Sequence, residues 1–124
     1  DAWPRLEGRF VFEERPLESV ALSKDDLVVS AHACGPLADV VLERASAAGA
    51  RVAVLPCCHD LASSHAGSLS GWMDGPLAVD VMRAVRLEQC GYHVRTQAIP
   101  ADITPKNRLL IGVPEGRGAR SPSR

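Results

Sequence analysis

Two short segments concentrate the side chains of this sequence that can do chemistry. The first reads His-Ala-Cys-Gly at residues 32–35, and the second reads Pro-Cys-Cys-His-Asp at residues 56–60. Imidazole titrates near neutral pH, so His32 or His59 could take a proton from a substrate as a general base. Thiolates and imidazoles are also ligands that zinc prefers. The two segments together predict either a ligand pocket or a metal site.

The spacing of the cysteines does not follow a common zinc pattern. The cysteines and histidines of the two segments exceed the four ligands of a tetrahedral site. However, the sequence has no CxxC and no paired HxxxH motif, and Cys57 and Cys58 in an extended chain would point to opposite faces. The sequence therefore assigns no metal ligand, and zinc stays an alternative. A third interpretation is that the thiols are small hydrophobes that pack in a core.

Each segment directly follows a predicted strand. Residues 27–31 and 51–55 are continuous apolar runs, which are typical of strands buried on both faces of a parallel sheet. Ligands of open α/β sheets bind outside the carboxyl ends of such strands. If the two strands are neighbours, they lie about 4.8 Å apart, and the two segments meet.

The remaining elements follow from turn and capping signals. Gly-Pro at residues 35–36 and again at 75–76 predicts two helix starts, with helix ends at Gly49 and Gly91. Further strands are predicted at residues 9–13, 92–99 and 107–113, and a loop with one short helical turn at 60–75. The order of elements predicts an α/β fold with a mainly parallel sheet, helices on its faces and an antiparallel return of the last strand.

Composition limits the function classes. The 124 residues are 46% hydrophobic and 23% charged, which predicts a single globular domain over residues 1–114. The net charge of −1 argues against a protein that binds nucleic acid through its phosphates. The aromatic content of 4% argues against one that stacks bases on its side chains. No apolar run approaches the ~20 residues of a membrane span, and four cysteines without a disulfide pattern predict a cytoplasmic protein. Residues 115–124 contain no large apolar side chain and are predicted to be a disordered tail.

The paired segments resemble those of one group of class I S-adenosylmethionine-dependent methyltransferases. That group carries His-x-Cys-Gly-x-x-Thr-Asp after one central strand and Pro-Cys-Cys-His or Pro-Cys-Cys-Tyr after the next. Residues 32–39 read HACGPLAD and residues 56–59 read PCCH. The tRNA acceptor-stem 2′-O-methyltransferases and several methyltransferase-like proteins share this pairing. The resemblance spans residues 9–113.

The resemblance implies a Rossmann-like methyltransferase fold, S-adenosylmethionine as cofactor and methyl transfer as the activity. Residues 9–13, 27–33 and 51–57 resemble the third, fourth and fifth strands of that fold, and the last two strands resemble its closing antiparallel pair. The implied site residues are His32, Cys34 and Gly35 beside the cofactor, Cys57 and Cys58 facing the substrate, and His59 as the catalytic residue.

The sequence also departs from the family. Ala38 stands where the family has Thr, and no GxGxG turn for the cofactor occurs. The resemblance therefore implies the C-terminal portion of a methyltransferase domain with its first strands missing. We expect an oligomer or an N-terminal half to cover the sheet. The expected methyl acceptor is a small molecule, an RNA or a protein. The alternatives are a non-catalytic zinc-binding or interaction module and an inactive methyltransferase remnant.

Overall fold

The computed structural model describes residues 3–116, which form a four-stranded sheet and two α-helices. The strands are β1 (Leu27–Ala31), β2 (Arg51–Leu55), β3 (Tyr92–Ala98) and β4 (Arg108–Pro114), and the helices are α1 (Pro36–Ala48) and α2 (Gly75–Gln89). Short 3-10 helices cover Pro4–Leu6, Leu17–Ser19 and Gly67–Gly71. The predicted α/β class is confirmed. Most of the tail predicted to be disordered lies outside the described residues.

The sheet is mixed, so the prediction of a mainly parallel sheet is wrong. Its strand order is β1-β2-β4-β3; β1 and β2 are parallel, and β4 is antiparallel to both β2 and β3. The link between β3 and β4, residues 99–107, is too short for the crossover that a parallel pair needs. It closes as a hairpin in which the amide of Ile99 donates to the carbonyl of Asn107 at 2.8 Å.

The strand predicted at residues 9–13 is also wrong. These residues have no strand structure, and the side chains of Phe10 and Phe12 are 73% and 78% exposed. Aromatic and β-branched residues favour a strand only where a neighbouring strand and a core receive them. Within residues 3–116, β1 pairs with β2 alone, so residues 9–13 do not add a strand to its outer edge.

Both helices begin and end where the Gly-Pro and Gly signals predict. Helix α1 ends at Gly49, whose φ of 67° is the left-handed conformation typical of a C-terminal cap. Helix α2 begins after Asp74, whose carboxylate accepts a hydrogen bond from the amide of Leu77 at 3.0 Å. The predicted loop between β2 and α2, with its one short helical turn, is confirmed.

The core lies between one face of the sheet and both helices. Val52 and Val54 of β2 are fully buried, and they pack with Leu87 of α2 and Leu42 of α1 in one cluster. A Cβ on Gly112 of β4 would approach a Leu87 methyl carbon to 2.5 Å, so any side chain there would force Leu87 to move.

The opposite face of the sheet is open along β1. Leu27 and Val29 are 57% and 68% exposed there, so the prediction of helices on both faces fails along this strand. Within residues 3–116, neither helix is long and apolar enough to cross a membrane.

Candidate functional site

The two segments meet at the carboxyl ends of β1 and β2, which we call the motif end (residues 32–35 and 56–59). The strands pair in parallel with Ala31 opposite Leu55, so both segments leave the sheet side by side. The amide of His32 donates to the carbonyl of Leu55 at 3.3 Å, and the amide of Gly35 donates to the carbonyl of Cys58 at 3.0 Å. The prediction that the two strands are neighbours is confirmed.

Two residues of the first segment have an unusual backbone conformation. His32 has a φ of 62°, which costs a side-chain-bearing residue about 1–3 kcal/mol. Gly35 has φ 52° and ψ −129°, which other residues rarely adopt. Its amide donates a hydrogen bond to the carbonyl of Cys58, and its carbonyl accepts one from Arg83 Nη2 at 3.0 Å. The structure therefore gives Gly35 a positioning role, and its contact with a cofactor stays a prediction.

Three thiols cluster at the motif end. The Sγ atoms of Cys34 and Cys57 lie 3.2 Å apart, and those of Cys57 and Cys58 lie 3.7 Å apart. The expectation that Cys57 and Cys58 point to opposite faces is wrong, because both residues lie beyond the last residue of β2. Cys57 is buried, whereas Cys34 and Cys58 are exposed. Packing in a core therefore does not account for the cluster as a whole.

The pKa values of the Cys34 and Cys57 thiols are shifted in opposite directions. Hydrogen bonding with Cys57 and then with Cys58 raises the pKa of Cys34 to about 12. The pKa of Cys57 is lowered, chiefly because the Cys34 thiol donates to its thiolate, with further help from His32 and Cys58. The arrangement therefore favours a first thiolate at Cys57, while Cys34 holds its proton.

His59 is oriented by a partly buried carboxylate. Its side chain is only 4% exposed, and its Nε2 lies 2.8 Å from Oδ1 of Asp80. A carboxylate can only accept, so Nε2 carries a proton in this contact, and in the neutral imidazole Nδ1 is then the acceptor nitrogen. The same carboxylate accepts from Arg83 Nη1 at 3.2 Å and from Arg108 Nε at 2.8 Å. Asp80 therefore orients the residue for which the sequence predicts a catalytic role.

Arg83 of α2 links the two segments through hydrogen bonds. Its guanidinium donates to both carboxylate oxygens of Asp39, at 3.0 and 2.9 Å, as well as to Asp80 and the carbonyl of Gly35. Burial alone would lower the pKa of Arg83, but the hydrogen bonds and charges of Asp39 and Asp80 raise it above its usual value. The guanidinium thus stays charged and links the start of α1 to the carboxylate that orients His59.

Sequence reasoning missed Asp80 and Arg83. Both lie on α2, where Arg83 falls at helical spacing between the buried residues Val79 and Leu87. A charged residue in the apolar stripe of a helix is the signal that could have found it, because burial of a charge requires partners.

A cavity of about 210 Å³ lies beside His59. Lys106, Asn107 and Arg108, from the start of β4 and the link before it, line its other side. Asp74 also lines this cavity, and the Arg108 guanidinium donates to Asp80, so the lining carries charges of both signs next to the imidazole.

Comparisons of the chain with protein-family models, with curated proteins and with solved structures give no significant match. A functional assignment therefore depends on the geometry of the motif end and on the resemblance of the paired segments.

Proposed function

We propose that this protein is an S-adenosylmethionine-dependent methyltransferase and that the described chain forms the C-terminal part of a class I domain. The observation that carries the proposal is the meeting of the two motif segments at one end of the sheet. The Gly35–Cys58 hydrogen bond and the 3.2 Å approach of Cys34 to Cys57 join them into one surface.

The order of the strands supports the same proposal. The resembled fold ends in an antiparallel pair that follows its parallel strands, and here β4 and β3 follow the parallel pair of β1 and β2. The finer assignment of a Rossmann-like methyltransferase fold is part of the proposal. The open face along β1, with Leu27 and Val29 exposed, suits a domain in which further structure covers this strand.

The exposed part of the motif end suits the methionine end of the cofactor. His32 and Cys34 are exposed and can contact a ligand through their side chains, and Gly35 holds the loop that carries them. S-adenosylmethionine, when bound, supplies a methyl group activated by its sulfonium charge. The protein's own task is then to position the acceptor and remove its proton.

We assign proton removal to His59. Its Nε2–H is held by Asp80, which leaves Nδ1 able to accept a proton from an acceptor in the adjoining cavity. The proton that arrives on Nδ1 makes an imidazolium, which the negative charge of Asp80 stabilises. We assign Cys57 and Cys58, which directly precede His59 in the second segment, to the substrate side of the site.

Calorimetric titration of the full-length protein with S-adenosylmethionine tests the proposal. We expect saturable binding, weakened at least tenfold in a His32→Ala variant and unchanged in His93→Ala, whose exposed side chain lies on β3. Absence of binding heat at about 1 mM ligand would overturn the proposal and favour an inactive methyltransferase remnant.

A further inference from the structure

The geometry points to a zinc ion bound by the thiolates of Cys34, Cys57 and Cys58. These three Sγ atoms all lie within 4.8 Å of one another, with separations of 3.2 Å for Cys34–Cys57 and 3.7 Å for Cys57–Cys58. Zinc–sulfur bonds of about 2.3 Å place the sulfurs of a tetrahedral site about 3.8 Å apart. The triangle of sulfurs is therefore close to one face of a zinc–thiolate tetrahedron.

The backbone holds the sulfurs in place. Cys34 follows β1 and Cys57 follows β2, so the ligands lie just beyond the ends of two adjacent, hydrogen-bonded strands. The Gly35–Cys58 hydrogen bond joins the two ligand loops directly, and Arg83 fixes the carbonyl of Gly35. A metal site supported in this way needs little reorganisation to bind its ion.

A disulfide or core packing explains the cluster less well than a metal does. A disulfide would use only Cys34 and Cys57, and it would leave the third thiol, 3.7 Å from Cys57, without a role. Packing would bury all three side chains, yet Cys34 and Cys58 are exposed, which gives an ion a path from solvent. Three thiols within reach of one point match the preference of soft ligands for zinc.

Zinc binding displaces the protons of the three thiols. One Zn²⁺ and three thiols give one zinc–tris(thiolate) centre and release three protons, and solvent completes the coordination. The ion would fasten the segment after β1 to the segment after β2. This inference goes beyond the proposed methyl transfer, because it requires neither the cofactor nor an acceptor.

Metal analysis of the full chain tests the inference. The protein is purified under reducing conditions without chelator, and its zinc content and zinc affinity are measured against a chromophoric chelator. We expect one zinc ion per chain, and an affinity reduced in Cys34→Ser and in Cys58→Ser by more than the roughly 10–100-fold that loss of an outer-shell partner costs. Both substitutions are at exposed positions, and Cys90→Ser, also exposed and outside the cluster, is the matched control.

Cobalt substitution gives a readout that does not depend on activity. A sulfur-to-cobalt charge-transfer band is expected in the wild type and in Cys90→Ser, and it should weaken in both cluster variants. Circular dichroism establishes that each variant is folded. Metal-free wild type in reducing buffer, or equal zinc affinity in all variants, would overturn the inference. A failed cofactor titration with zinc bound would count against the methyltransferase alone.

Discussion

The motif end and the N-terminal flank (residues 9–13) lie on either side of β1 in sequence, yet they differ in secondary structure and in their contacts with the rest of the chain. The motif end is crossed by hydrogen bonds and ion pairs that centre on Arg83 and Asp80. The N-terminal flank exposes Phe10 and Phe12 and forms no strand. Apolar side chains without a partner specify no structure by themselves, whereas directional polar contacts fix the backbone around them.

The buried guanidinium should contribute most to this difference. We expect Arg83→Met to lower the free energy of unfolding by about 3–5 kcal/mol, because Asp39 and Asp80 would keep partly buried charges without their shared partner. Denaturant unfolding of the variant measures the loss. Arg86→Met, at an exposed position on the same helix, is the control and should change stability by less than about 0.5 kcal/mol. Equal losses in the two variants would contradict the account of the network.

A pair of apolar truncations compares the core with the N-terminal flank. Leu87→Ala should lower the free energy of unfolding by about 2–5 kcal/mol, because Leu87 is 3% exposed and its loss leaves a cavity. Phe12→Ala should cost less than about 0.5 kcal/mol, because Phe12 contacts solvent. The same denaturant unfolding measures both variants. A large loss in Phe12→Ala would mean that the N-terminal flank packs in solution.

The backbone conformation at Gly35 is unfavourable for any residue with a side chain. Gly35→Ala should destabilise the chain by about 1–3 kcal/mol, since φ 52° and ψ −129° are unfavourable for alanine. Gly71→Ala is the control, because a Cβ there has no neighbour within 4 Å. Thermal unfolding followed by circular dichroism compares the two, and a neutral Gly35→Ala would show that the loop conformation is dispensable.

The smallest expected effect concerns the buried phenol of Tyr92. Its oxygen lies 3.1 and 2.8 Å from the carbonyl oxygens of Ala45 and Ala50, so Tyr92→Phe should cost about 1 kcal/mol at pH 7.

The pH dependence of stability in the alkaline range should distinguish the contribution of Tyr92 from other causes of unfolding. Burial raises the pKa of Tyr92 in the folded chain, so its contribution is complete below about pH 10 and is lost as the pH rises through the folded-state pKa. The Phe variant should therefore lose less stability than the wild type between pH 9 and pH 11. Parallel pH profiles of the two proteins would contradict this.

The parts of the fold that follow from local signals were predictable from the sequence. The apolar runs of β1 and β2 and the Gly-Pro starts of both helices gave the correct elements, and their order placed the two segments side by side. The motif end was found because strand ends gather at one end of a parallel pair.

The rest depends on contacts between residues distant in sequence. The strand expected at residues 9–13 needs a neighbour that local sequence cannot name, and the antiparallel β4 inserts beside β2 rather than beyond β3. The approach of Cys58 to Cys57 depends on where β2 stops. The carboxylate of Asp80 contacts His59 only because α2 packs against the motif end.

Hydrogen–deuterium exchange of the full-length protein with and without S-adenosylmethionine tests whether the cofactor binds at the motif end. We expect slower exchange in peptides that contain residues 32–35 and 56–59, with residues 9–13 unchanged. Saturating cofactor that leaves both motif segments unaffected, or protects only residues 9–13, would contradict it.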